Sequence, residues 1–224
     1  MNKESELRIR ILPNTGKIIM ETHESGIVSC KEIQADAFLN CIKGSFRHEA
    51  VSSGFLPPNC LYVRVYPDGG KDYCLWYPEV YADISYHETA YSHFPLPRLV
   101  FAFHADPEGK ISKCRMGVVA DERPTPDTVM YIYPFSNVSG RYGDLCIGAN
   151  SLPQYRKPHT LANLPALLLS IPNGDHSYSP KNNKLGLQYR DLLEHLKSKA
   201  PSYYYSDVLL ENGLTLKDFM RGAI

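Results

Sequence analysis

Residues 7–12 and 17–22 alternate apolar and polar positions in part, with the turn signal Pro13-Asn14-Thr15-Gly16 between them, which predicts a β-hairpin. Ser29-Cys30-Lys31-Glu32 then fits a capping box, and Ile33, Ala37, Phe38, Cys41 and Ile42 follow at helical spacing. The pattern predicts a helix from about 30 to 43, ending near Gly44. Cys60–Tyr66 alternates as a strand does and turns at Pro67-Asp68-Gly69-Gly70 into Tyr73–Tyr77. Arg98–His104 turns at Asp106-Pro107-Glu108-Gly109 and returns as Lys110–Ala120, and Val129–Tyr133 is a further short strand. Short Gly/Pro turns between consecutive strands predict an antiparallel meander.

After residue 150 the period changes. Leu161, Leu164, Leu167 and Leu168 form one apolar stripe; Leu185, Tyr189, Leu192, Leu193 and Leu196 form a longer one that ends before Pro201. Thr215-Leu216-Lys217-Asp218 caps a last short helix. A helix, a meander and then helices predict the α+β class.

Composition narrows the function classes. Lys+Arg and Asp+Glu both number 24, so the chain has no global positive field to hold a nucleic acid or an anionic membrane, and neither partner is expected. The sixteen tyrosines are spread without a basic stripe and read as packing rather than a stacking platform. The start MNKESELRIRIL lacks an apolar run of signal-peptide length, and no window approaches a membrane span. The expected compartment is therefore the reducing cytoplasm, where thiols stay unpaired. None of the six cysteines forms a C-x-x-C pair, so no structural metal is expected, and no cofactor.

One cysteine differs from the rest. Residues 138–149 read VSGRYGDLCIGA, a loop in which Gly140, Gly143 and Gly148 bracket Cys146. Another macromolecule can approach a thiol on such a loop. Cys60, Cys74 and Cys114 fall within predicted strands, and Cys41 lies on the apolar face of the predicted helix. An ordinary thiol is only a few per cent thiolate near pH 7, so an acyl-transfer cysteine needs a base or an acyl group delivered already activated.

Tyr133-Pro134-Phe135-Ser136-Asn137-Val138 followed by Gly143-Asp144-Leu145-Cys146-Ile147 resembles the active-site segment of ubiquitin-conjugating enzymes, a His-Pro-Asn-apolar stretch, a glycine turn and then apolar-Cys-Leu-Asp. Leu167–Ile171 and Pro172-Asn173-Gly174-Asp175 resemble the helix and the Asp-Pro-Asn-Pro-Asp loop beside that site. His93–Phe101, Arg123-Pro124-Thr125-Pro126-Asp127-Thr128 and Cys146-Ile147-Gly148 are similar to the prokaryotic ubiquitin-conjugating-like family D, which includes the PRTRC system protein B sequences. The resemblance covers roughly 93–176.

The resemblance implies an α+β ubiquitin-conjugating-like fold with an extra N-terminal hairpin. Residues 1–28 would form that extension, 29–200 the conjugating-like domain and 201–224 a C-terminal helical tail. It implies a cysteine-dependent acyltransferase that holds a ubiquitin-like protein as a thioester on Cys146 and passes it to an amine. The implied partners are a ThiF-type adenylating enzyme, the ubiquitin-like protein and a target protein or other amine acceptor. Asn137 would supply the oxyanion hydrogen bond, or act as a plain turn asparagine. Asp175 or His176 would orient or deprotonate the amine, or only shape the turn.

The chain departs from the pattern in three places. Tyr133 stands where the family has histidine, Phe135 and Ser136 intervene before Asn137, and Gly148 replaces the acidic residue after the cysteine. Asp144, two places before Cys146, is a substitute for that acid or a solvated loop aspartate. Two further function classes stay open: a catalytically silent binding or adaptor module, and a cysteine hydrolase with a histidine within hydrogen-bond reach of Cys146.

Overall fold

The computed structural model describes residues 5–24, 26–45 and 52–221, and the chain divides into two compact units, Met1–Ser52 and Ser53–Ile224. In the first unit β1 (Ser5–Leu12) and β2 (Lys17–Glu24) form the expected hairpin. The segment expected to open the first helix is instead a third strand, β3 (Ile27–Ile33), antiparallel to β2, and helix α1 (Ala35–Ser45) follows it. Ile27, Val28 and Ile33 are β-branched and favour the ladder. Glu32, assigned to a capping box from the sequence, pairs across the sheet with Lys17 at 3.1 Å. The expected boundary at 28/29 falls inside β3.

The second unit is built on the predicted meander: β4 (Cys60–Val65), β5 (Lys71–Tyr77), then after an inserted hairpin of β6 (Val80–Tyr86) and β7 (Thr89–Leu96), β8 (Leu99–Ala105) and β9 (Ile111–Val119). β10 (Val129–Tyr131), β11 (Val138–Ser139) and β12 (Asp144–Leu145) complete the central part. The spatial order is β11-β12-β9-β8-β5-β4, all antiparallel. A 3₁₀ turn (Pro158–Asn163), α2 (Leu164–Leu169), α3 (Tyr189–Leu196), a π-helical turn (Tyr204–Val208), β13 (Glu211–Thr215) and α4 (Leu216–Arg221) follow. Leu185 lies outside α3, beside Gly186 at φ +63°. β13 pairs with β10 and was not foreseen.

Both faces of the sheet are covered. Leu75, Phe101 and Phe103 pack with Leu164 of α2 and with Leu192 and Leu196 of α3 in the larger cluster. Cys74, Val100 and Ala102 face the other way, against Met130, Leu214 and Phe219. Two-sided burial explains why Leu99–Phe103 reads as an unbroken apolar run. Leu192, Leu193 and Leu196 are each fully buried, which contributes about 1.5–3 kcal/mol per side chain. Trp76 is half-buried at the edge of this second cluster. The predicted cap of α4 is present in reciprocal form: Asp218 N–H donates to Thr215 Oγ1 at 3.3 Å, and Thr215 N–H donates to Asp218 Oδ2 at 3.2 Å.

Candidate active site

The two-residue strands β11 and β12 close a tight loop over Gly140–Gly143, with Val138 opposite Leu145 and Ser139 opposite Asp144. That loop is fastened to β9. Met116 N–H donates to Gly143 O at 2.9 Å, and Arg115 Nε lies 2.9 Å from Asp144 Oδ1. Gly143 has φ +71°, and a Cβ there would stand 2.1 Å from Met116 O, so only glycine allows this approach. Asp144 is thus an ion-pair partner of Arg115, whose guanidinium also lies 5.4 Å over the Tyr142 ring.

Cys146 leaves this loop exposed, with its N–H donating to Asn137 O at 2.8 Å. Asn137 has φ +64°, a left-handed conformation that asparagine tolerates better than most residues. Its N–H donates to His176 O at 3.0 Å, and its Nδ2 donates to Pro172 O at 3.0 Å. One residue therefore ties the cysteine segment to the loop 172–176. An amide carries two N–H donors, so one of Asn137 stays available beyond the Pro172 bond.

The residues that break the family pattern have structural work. Phe135 is 1% exposed and packs edge-on against Tyr133, Phe94 and Tyr204. Ser136 is fully buried and donates to Asn173 Oδ1 at 3.1 Å. Tyr133, where the family has histidine, is buried, and burial pushes its phenol far above the ordinary range.

Asp175 and His176 are both exposed, and only Asp175 engages other side chains by hydrogen bonding. Tyr86 Oη donates to Asp175 Oδ1 at 2.6 Å, and His87 Nε2 lies 3.2 Å from Oδ2. The Tyr86 hydrogen bond first, then His87, holds the carboxyl below its usual range, and the same bond raises the Tyr86 phenol. The sequence marks neither Tyr86 nor His87, and it assigns no contact to Ser136 or Asn173. The alternation of Val80, Ala82, Ile84 and Tyr86 was the available signal for β6. The turn after it, His87-Glu88, contains no Gly, Pro or Asn to mark it.

Among the described residues no group of three or more His, Cys, Asp or Glu could hold a metal ion, and no helix is long and apolar enough to cross a membrane. No hydrogen bond joins Cys146 to a histidine side chain among the described residues.

The family model described as prokaryotic E2 family D matches residues 36–167, more than half of the chain. The chain belongs to prokaryotic E2 family D. Asn137 and Cys146 lie within the matched residues of this ubiquitin-conjugating-like module, whereas Asp175 and His176 lie beyond them. No curated protein and no solved structure matches the chain. In this family D member the loop 172–176 is hydrogen-bonded to Asn137 on one side and to the tip of the β6–β7 hairpin on the other.

Proposed function

We propose that this protein carries a ubiquitin-like protein as a thioester on Cys146 and transfers it to an amine. The observation that carries the reading is the exposed Cys146 whose backbone is tied through Asn137 to the loop of Asp175 and His176. A thiol presented in this way accepts an acyl group from a partner. A hydrolase would instead need a histidine held against the sulfur, and none hydrogen-bonds it among the described residues. Family membership supports the same class and the same kinds of partner, a ThiF-type adenylating enzyme and a ubiquitin-like protein. Because the thiol must stay reduced, the cytoplasm is the proposed setting.

In this reading the adenylating enzyme delivers an activated C-terminal acyl group, and Cys146 exchanges for the delivering thiol. The free N–H of the Asn137 amide then stabilises the tetrahedral oxyanion during aminolysis. Its bond to Pro172 fixes the amide plane beforehand. The loop 172–176 borders the path of the amine. Incubation with a ThiF-type adenylating enzyme, its ubiquitin-like protein and ATP should give an adduct on Cys146 that a thiol reductant removes. Equal charging of the Cys146→Ala variant would refute the reading.

A further inference from the structure

The loop of Asp175 is pinned on its second side by the tip of the β6–β7 hairpin. Asn173 N–H donates to Ser85 O at 2.8 Å, and His87 N–H donates to Asn173 O at 2.9 Å. An interior cavity of about 20 Å³ is lined by Ile84, Asn137, Leu145 and Asn173 together, so the hairpin strand and the segment that leads to Cys146 pack around one void, beneath the loop that joins them. His87 stands at φ +49°, a conformation that an ordinary L residue keeps only where its contacts hold it.

Those contacts aim its ring. Asp175 is an acceptor, already fixed by Tyr86 Oη on Oδ1, so its Oδ2 places the proton of neutral His87 on Nε2. Nδ1 is then left as the lone-pair acceptor, on a side chain that is 52% exposed. The charged groups around the ring are Asp175 itself, the neighbouring Glu88, and Arg190, whose guanidinium lies 5.4 Å over the Tyr86 ring. A carboxylate that orients an imidazole with one free nitrogen is the arrangement of a general base.

We propose that His87, oriented by Asp175, is the general base for the amine that attacks the Cys146 thioester, an inference that rests on the acyl-carrier reading above. Asp175 is then a positioning residue. The substrate ammonium gives one proton to His87 Nδ1, and the nitrogen lone pair forms the C–N bond at the thioester carbonyl. The C–S bond breaks with its electrons on the Cys146 sulfur, which takes the second proton from the nitrogen as the amide forms. The third proton remains on the amide, and His87 later releases its own to water. A base matters here because about one lysine amine in 10³ is neutral near pH 7.

The test charges Cys146 with a peptide ending in Gly-Gly, by exchange with that peptide's small-molecule thioester. Discharge at pH 7 is then followed by intact mass, with free lysine and separately with hydroxylamine, which is already neutral. His87→Gln should charge normally, discharge to lysine about 10²-fold more slowly, and discharge to hydroxylamine at the wild-type rate. Asp175→Asn should show the same selective loss to a smaller extent. Lysine discharge unchanged in His87→Gln, or both acceptors slowed equally, would overturn the proposal. Failure of the wild-type protein to take the acyl group on Cys146 would instead sink the acyl-carrier reading, and this proposal with it.

Discussion

Cys146 donates its backbone N–H to the carbonyl of Asn137 at 2.8 Å, across the short ladder in which Val138 faces Leu145. The backbone that bears the thiol is therefore tied to Asn137, which stands at φ +64° and holds the neighbouring loop through two further hydrogen bonds. Each of the following predictions tests a part of that arrangement.

Asn137→Gly keeps the left-handed backbone and deletes only the amide. Charging of Cys146 should persist, while discharge to amines should fall about 10²-fold, the usual loss for one oxyanion donor. Asn137→Ala adds backbone strain of about 1–2 kcal/mol, visible as a lower midpoint in urea unfolding relative to Asn137→Gly.

Gly143 and Gly148 both have positive φ but differ in their surroundings. Gly143→Ala drives a Cβ into Met116 O and should destabilise the protein by about 3 kcal/mol or more. A Cβ at Gly148 meets nothing within 4 Å, so Gly148→Ala should cost only about 1–2 kcal/mol of backbone strain. Unfolding curves of the two variants give the comparison directly.

The six thiols should separate under alkylation at neutral pH. Cys146 is exposed, whereas Cys114 is buried and pushed up to about 11, and Cys74 is fully buried and pushed higher still. Peptide mapping after brief iodoacetamide treatment should find Cys146 modified while Cys74 and Cys114 stay unmodified until the protein is denatured.

Tyr86→Phe removes the hydrogen bond that does most to hold the Asp175 carboxyl below its usual range. The carboxyl titration followed by NMR should move up towards the ordinary aspartate value. A folded pKa below the unfolded one stabilises the native state above the unfolded pKa, and the contribution is lost as pH falls through the folded value. The variant should accordingly lose less stability than wild type on acidification.

The meander, the core face of α3 and the Thr215–Asp218 cap were legible because each depends on local patterning: alternation between Gly/Pro turns, a leucine stripe, a reciprocal side-chain cap. The β3 segment was not, because Ser29 and Glu32 carry a helix-start pattern that pairing with β2 overrides. Strand β13 was hidden for a similar reason: Glu211-Asn212-Gly213 has turn composition, and its extended form comes from pairing with Val129 and Tyr131. At the candidate site, Cys146 stood out by its flanking glycines and Asn137 by the resemblance. Their connection to Tyr86 and His87 could not, since about ninety residues separate the hairpin from the loop it holds and nothing local marks that contact.

The most direct measurement of the central claim is the chemistry of the bond formed at position 146. Wild type and Cys146→Ser are each incubated with a ThiF-type adenylating enzyme, its ubiquitin-like protein and ATP, then treated with a thiol reductant and with mild alkali and read by intact mass. The account predicts a reductant-labile thioester on wild type and a reductant-resistant, alkali-labile oxyester on Cys146→Ser. An adduct of unchanged lability in Cys146→Ser, or one that survives in Cys146→Ala, would contradict it.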